Sequence, residues 1–146
     1  MHEADRTSSV IRSVGLMSVL GVFALVGCRG GPSIDEARAE PVEMAKAGVL
    51  NIQVFRNVTT LELTNTTARS FEDATIWLNQ RYSMPVGGLE IGESLELPLR
   101  GFVDEYGDTF RAGGFFATRD PVPVVLAQLE SEGVLYGLLM GGNRIK

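Results

Sequence analysis

The chain carries one cysteine, Cys28, and one histidine, His2, so residues able to act as strong nucleophiles or soft metal ligands are few. A lone thiol can be alkylated, oxidised or bound to a metal, and its neighbours decide which. The densest run of carboxylates is Asp104-Glu105-Tyr106-Gly107-Asp108. Calcium takes its oxygens from such loops, but the D-x-D-x-D-G spacing of a calcium-binding loop is not met. The run reads as a solvated hairpin loop in which Gly107 supplies a positive φ. Paired carboxylates also cleave glycosides when held about 5–9 Å apart across a cleft, and a domain this small leaves little room for that groove. A third group is aromatic: Phe102, Tyr106, Phe110, Phe115 and Phe116 fall within fifteen residues, with Arg111 among them and Arg119 just beyond. Such rings either fill a core or form a partner surface or stacking platform. Most of them read as packing for one end of a domain. Adjacent strand residues face opposite ways, so of Phe115 and Phe116 one is expected outside, unless Gly113-Gly114 introduces a bulge. Trp77, Tyr82 and Phe116 are the candidate ligand or partner surface.

The neighbours of Cys28 give its chemistry. Val14 to Val26 is a run of thirteen residues without a charge. A membrane-spanning helix needs about 20 apolar residues, so the run is too short to cross. It has the length and position of the apolar core of a secretory signal peptide, and Gly15, Ser18 and Gly21 weaken it as a buried helix. Directly after it comes Leu25-Val26-Gly27-Cys28, which resembles the lipobox of bacterial lipoproteins. The resemblance implies that Cys28 is alkylated with diacylglycerol and that the chain is then cut between Gly27 and Cys28, where a small residue is needed. It covers the first 28 residues. One feature departs from it: Arg6 and Arg12 are offset by Glu3 and Asp5, which an initiation at Val10 would explain. Arg29 is not the acidic residue that commonly retains such proteins in the inner membrane, so a host with two membranes would send this one to the outer. Each buried CH₂ of an acyl chain contributes about 0.8 kcal/mol, and one chain holds only weakly. The two or three chains implied here, palmitate among them, make the attachment nearly permanent.

Cleavage would also remove His2, while lipid would block the Cys28 thiol. What remains has no histidine, no free thiol, and lysines only at Lys46 and Lys146. That excludes Ser-His-Asp and Cys-His catalysis, histidine zinc sites, axial-histidine haem and disulfides. No enzyme, cofactor or metal centre is expected. With 13 basic residues against 18 acidic ones, a net charge of −5 and a pI of about 4.9, the chain lacks the basic excess of a nucleic-acid binder. Its 45% apolar content is too high for a wholly disordered chain.

Three segments must place these groups. Residues 1–27 are the signal peptide, expected as a short helix. Residues 28–47 begin with Gly30, Gly31 and Pro32 and continue rich in Ala and Glu. Ser33 could cap a short helix through Glu36, which Pro41 ends; the segment reads as a flexible tether. From Gly48 to Lys146 the apolar period becomes two. Leu61 and Leu63 share one face, Ile76 and Leu78 another with Trp77 opposite, and Leu95, Leu97 and Leu99 point inward with Glu96 outward. Val49–Phe55, Val122–Leu129 and Val134–Leu139 read as further strands. Tyr82-Ser83-Met84-Pro85 reads as an edge or loop. Asn65 serves a turn, and residues 141–146 read as a frayed tail. The fold class is all-β, a single small antiparallel β-sandwich. Residues 48–146 match the about 100 residues of an immunoglobulin-type sandwich. Leu61–Asn79 is similar to the second-to-third strand region of immunoglobulin-like and fibronectin-like envelope modules, which raises that topology further. The function expected is a membrane-anchored, non-catalytic envelope lipoprotein acting as a structural or adaptor module through a protein partner. A binder of glycan or cell-wall fragments is the alternative.

Overall fold

The computed structural model describes residues 38–39 and 44–142. Gly27 and Cys28, and with them the signal-peptide and lipidation expectations, lie outside the described residues. The described chain is all-β, with strands β1 (Ala45–Asn57), β2 (Thr60–Thr64), β3 (Phe71–Leu78), β4 (Tyr82–Leu89), β5 (Ser94–Pro98), β6 (Ala127–Ser131) and β7 (Val134–Met140). They form one seven-stranded sheet in the order β4-β3-β6-β7-β1-β2-β5.

The period-two segments set the inner face. Leu61 and Leu63, Ile76 and Leu78, and Leu97 all enter one buried cluster. Ile52, Val54, Phe71, Leu89, Leu99, Phe102, Phe110, Leu129 and Leu138 complete most of it. Trp77 is buried but outside that cluster, on the other face of β3, as the alternation requires.

Three expectations are corrected. The sheet is mixed, not wholly antiparallel, because β1 pairs parallel to β7. Of the two readings of Tyr82–Pro85, edge or loop, the edge is found: Tyr82–Leu89 is a full edge strand that runs on through Pro85, Gly87 and Gly88. An edge tolerates them, since Pro85 needs no ladder partner for the N–H it lacks. The strand placed at Val122–Leu129 begins only at Ala127, because Pro121 and Pro123 remove the donors a ladder needs. β1 also starts at Ala45, three residues inside the segment read as tether.

The two outer strands nearly meet. After β5 the chain makes a single 3-10 turn over Leu99–Gly101. Val103 then exchanges backbone hydrogen bonds with Ser83 of β4, at 2.8 and 3.1 Å. This bridge brings the β5 side of the sheet against the β4 side and gives the sheet a nearly barrel-like closure.

Strand direction sorts the turns into two ends. The β1–β2 and β3–β4 turns and the long β5–β6 connection lie at one end, which we call the loop end. The β4–β5 and β6–β7 turns and the start of β1 lie at the other. Glu132-Gly133, the two-residue β6–β7 turn, has φ of 51° and 74°, the paired left-handed geometry a tight hairpin requires.

Candidate functional site

Of the three candidate surface rings, two are interior. Trp77 is 0% exposed and Tyr82 is 8% exposed, whereas Phe116 is 91% exposed. No exposed row of Trp77, Tyr82 and Phe116 is formed. Tyr82 stacks edge-on against Phe110, with centroids 5.0 Å apart, inside the main cluster. Trp77 lies on the outer face, where its indole N–H donates to Glu130 Oε2 at 2.7 Å. Arg38 lies over the indole, 5.1 Å from its centroid, and its guanidinium donates to the same Glu130 oxygen. The segment read as a free tether therefore touches the sheet at this point. A cation over an indole face is attractive, more so where water is excluded. Sequence periodicity put Trp77 on the outer face, but nothing in the spacing of Arg38 and Glu130, 92 residues apart, marked them as its cover.

The aromatic stretch divides differently from the expectation that most of it packs. Phe102 and Phe110 are buried. Tyr106, Phe115 and Phe116 are 78%, 95% and 91% exposed. Phe115 and Phe116 lie in the β5–β6 connection, not in a strand, so the alternation rule does not govern them. Gly113 and Gly114, with φ of 83° and 115°, carry the chain into that tip. The two rings meet edge to face at 5.0 Å.

The tip stands on a built base. The Arg56 guanidinium donates to the carbonyls of Val122 at 2.6 Å and Ala112 at 2.7 Å, and its Nε donates to Val58. The Val122 amide donates to the Arg111 carbonyl at 2.9 Å. Asn79, in the β3–β4 turn, donates to Pro123 O at 2.7 Å and accepts from Val125 N at 2.9 Å. One planar cation and one amide thus fasten residues 112–125 across the loop end. Between this connection and the β1–β2 turn lies an open groove of about 890 Å³, whose walls include Arg56, Val58, Phe115, Arg119 and Pro121. Arg56 and Asn79 are hidden in sequence because their partners are backbone carbonyls far away.

The acidic run is a structural turn. Asp104 is 0% exposed. Its Oδ2 accepts from Arg81 Nε and Nη2 at 2.9 and 2.6 Å, and its Oδ1 accepts from the amides of Tyr106 and Asp108. Burial is the largest single influence on this carboxyl and opposes its ionisation. The Arg81 hydrogen bond, the two amides and the Arg81 charge together outweigh it and hold the carboxyl below its ordinary range. Both oxygens are thus engaged within the chain. Gly107 has φ 82°, as expected for this turn. Asn65 is likewise consumed: buried, it donates to the carbonyls of Arg69, Leu89 and Glu90 and accepts from Thr67. It is a turn residue.

Among the described residues no three His, Cys, Asp or Glu side chains are grouped to hold a metal, and no helix is long and apolar enough to cross a membrane. No protein-family model, curated protein or solved structure matches the chain.

Proposed function

We propose that this chain is an exported lipoprotein, acylated at Cys28 after cleavage at Gly27, whose β-domain serves as a non-catalytic structural or adaptor module in a bacterial envelope. The observation that carries the reading is the unbroken succession of a thirteen-residue uncharged run and Leu25-Val26-Gly27-Cys28. In a host with two membranes the anchor lies in the outer one. The domain side of the reading draws support from where its polar chemistry goes. Asp104, Glu130, Arg56 and Asn79 are spent on internal partners, which suits a scaffold better than a catalyst. Contact with a protein partner is favoured over glycan stacking because Trp77 and Tyr82 are buried.

The finer fold belongs to the same proposal. β1 pairs with β7 from Ala45 to Val54 and with β2 from Gln53 to Asn57, with register shifts against β7 between Lys46 and Val49 and between Val49 and Gln53. A long strand that leaves one set of partners for another makes the corner of a two-layer sandwich. β4-β3-β6-β7 and β2-β5 would then be the two layers, an immunoglobulin-like division. The immunoglobulin fold buries a tryptophan in its core, and Trp77 departs from that pattern by lying outside the main cluster.

Affinity capture of the detergent-extracted chain from envelopes tests the module's role. A defined envelope protein recovered in fixed ratio supports the adaptor. Capture that depends on added glycan, with no protein partner, contradicts it and favours the alternative.

A further inference from the structure

Exposed apolar side chains gather at the loop end. Val58, Tyr106, Phe115, Phe116 and Val125, each more than 60% exposed, sit in turns or connections there. The Phe115–Phe116 tip projects from the turn in which Ala117 N donates to Gly114 O, on the base held by Arg56 and Asn79. Two rings this exposed on a fastened loop form a rigid apolar protrusion, not a frayed segment.

Charge around the protrusion runs against the rest of the molecule. The chain is acidic overall, yet the exposed charged residues in the 111–125 connection are Arg111, Arg119 and Asp120, two cations to one anion. Arg100 adds a third cation, its guanidinium reaching the Gly113 carbonyl at 3.5 Å. The acidic 104–108 turn, in the same connection, is fixed beside β4 by the Asp104–Arg81 pair. Aromatic tips collared by arginine suit the headgroup level of a bilayer, where rings bury and guanidiniums meet lipid phosphates.

The position of Arg38 supplies the third argument. It meets Trp77, the residue before the end of β3, and Glu130, the fourth residue of β6. At about 3.3 Å per residue Glu130 is roughly 10 Å from the loop end and one residue from the β6–β7 turn at the other end. Ten residue steps separate Arg38 from Cys28, a reach of at most about 36 Å. A membrane holding Cys28 is therefore within reach of the loop end.

We propose that Phe115 and Phe116 insert into the lipid interface as a second membrane contact, which orients the anchored domain with its loop end on the bilayer. This rests on the lipoprotein reading for proximity, and the occupant is the lipid surface itself. Val58 agrees with it. Its φ of 49° is one that β-branched residues rarely adopt, and its side chain, 61% exposed, lines the same groove as Phe115.

The test uses the acylated full-length chain in vesicles of phosphatidylcholine and phosphatidylglycerol with brominated acyl chains. Trp77 is the only tryptophan in the parent and is buried, so parent emission should be unaffected by bromine. Phe116→Trp should add a component that is blue-shifted and lost in brominated vesicles. Phe115→Ser in that variant should restore much of the lost emission while leaving the Trp77 component unchanged, which reports that the fold is intact. An acylated, vesicle-bound chain whose Trp at 116 is unquenched overturns the insertion and leaves the anchor standing. A blue shift produced by an added envelope protein, without bromine quenching, overturns it in favour of a protein partner. A chain found without acylation in cells overturns the anchor reading instead, and quenching of Trp at 116 in that chain still supports insertion.

Discussion

The indole N–H of Trp77 donates to Glu130 Oε2 at 2.7 Å, and neither residue is open to solvent. The pair is cross-sheet, with β3 beside β6, and places a polar contact on the face away from the main core. Arg38 closes it from outside. Sheet, carboxylate and N-terminal segment are thereby tied at one point.

Glu130→Ala should cost about 1–3 kcal/mol, the usual penalty for leaving a buried donor unpaired. Glu130→Gln keeps an acceptor for the indole and should cost less. Urea unfolding followed by Trp77 emission measures both. Arg38→Ala should red-shift the folded-state emission, by uncovering the ring, with a smaller loss of stability.

Val58 offers the opposite sign. Its left-handed backbone costs a β-branched residue about 1 kcal/mol, and its exposed side chain returns little. Val58→Gly or Val58→Asn should therefore raise the unfolding midpoint. A fall in midpoint would mean that the valine packs more than its exposure indicates.

Arg56 fastens two carbonyls ten residues apart with one rigid fork. Burial lowers its pKa from the ordinary value, but a guanidinium stays charged at any physiological pH. Arg56→Lys offers a point charge and cannot reproduce the fork. Amide hydrogen exchange at Val122, whose N–H bonds to Arg111 O, should accelerate in Arg56→Lys nearly as much as in Arg56→Ala. Full protection in the lysine variant would show that charge alone suffices.

Asp104 should shape the acid limb of stability. Its carboxyl is held below the ordinary value of about 3.9, so the folded state binds its proton less readily than the unfolded chain. The stabilisation is complete above about pH 4 and fades as pH falls through the folded value. Asp104→Asn should be less stable than the parent at pH 7, with the gap closing below about pH 4. Urea midpoints between pH 7 and pH 2.5 check this.

Much of the architecture is legible in the apolar period. Leu61 with Leu63, and Ile76 with Leu78 opposite Trp77, read directly as strand faces, because alternation reports which side is buried. Asn65 and Gly107 read as turn residues for an equally local reason. β4 reads only as an edge or loop at Tyr82–Pro85, since Pro85, Gly87 and Gly88 also signal a turn and only the strand's edge position makes them tolerable. The parallel β1–β7 pairing does not read either, because pairing partners are set by packing between distant segments. The same holds at the candidate site. Sequence placed one phenylalanine of Phe115–Phe116 outside by strand alternation, and both are outside because the segment is no strand. Arg38, Arg56 and Asn79 bond groups dozens of residues away, and their own neighbours in sequence carry no trace of it.

The most direct measurement is the intact mass of the N-terminal peptide from chain recovered in the membrane fraction of the producing cell. A peptide beginning at Cys28 and heavier by a diacylglycerol, with or without a further acyl chain, is the predicted result. A soluble chain that still carries residues upstream of Gly27, with an unmodified thiol, would contradict the account.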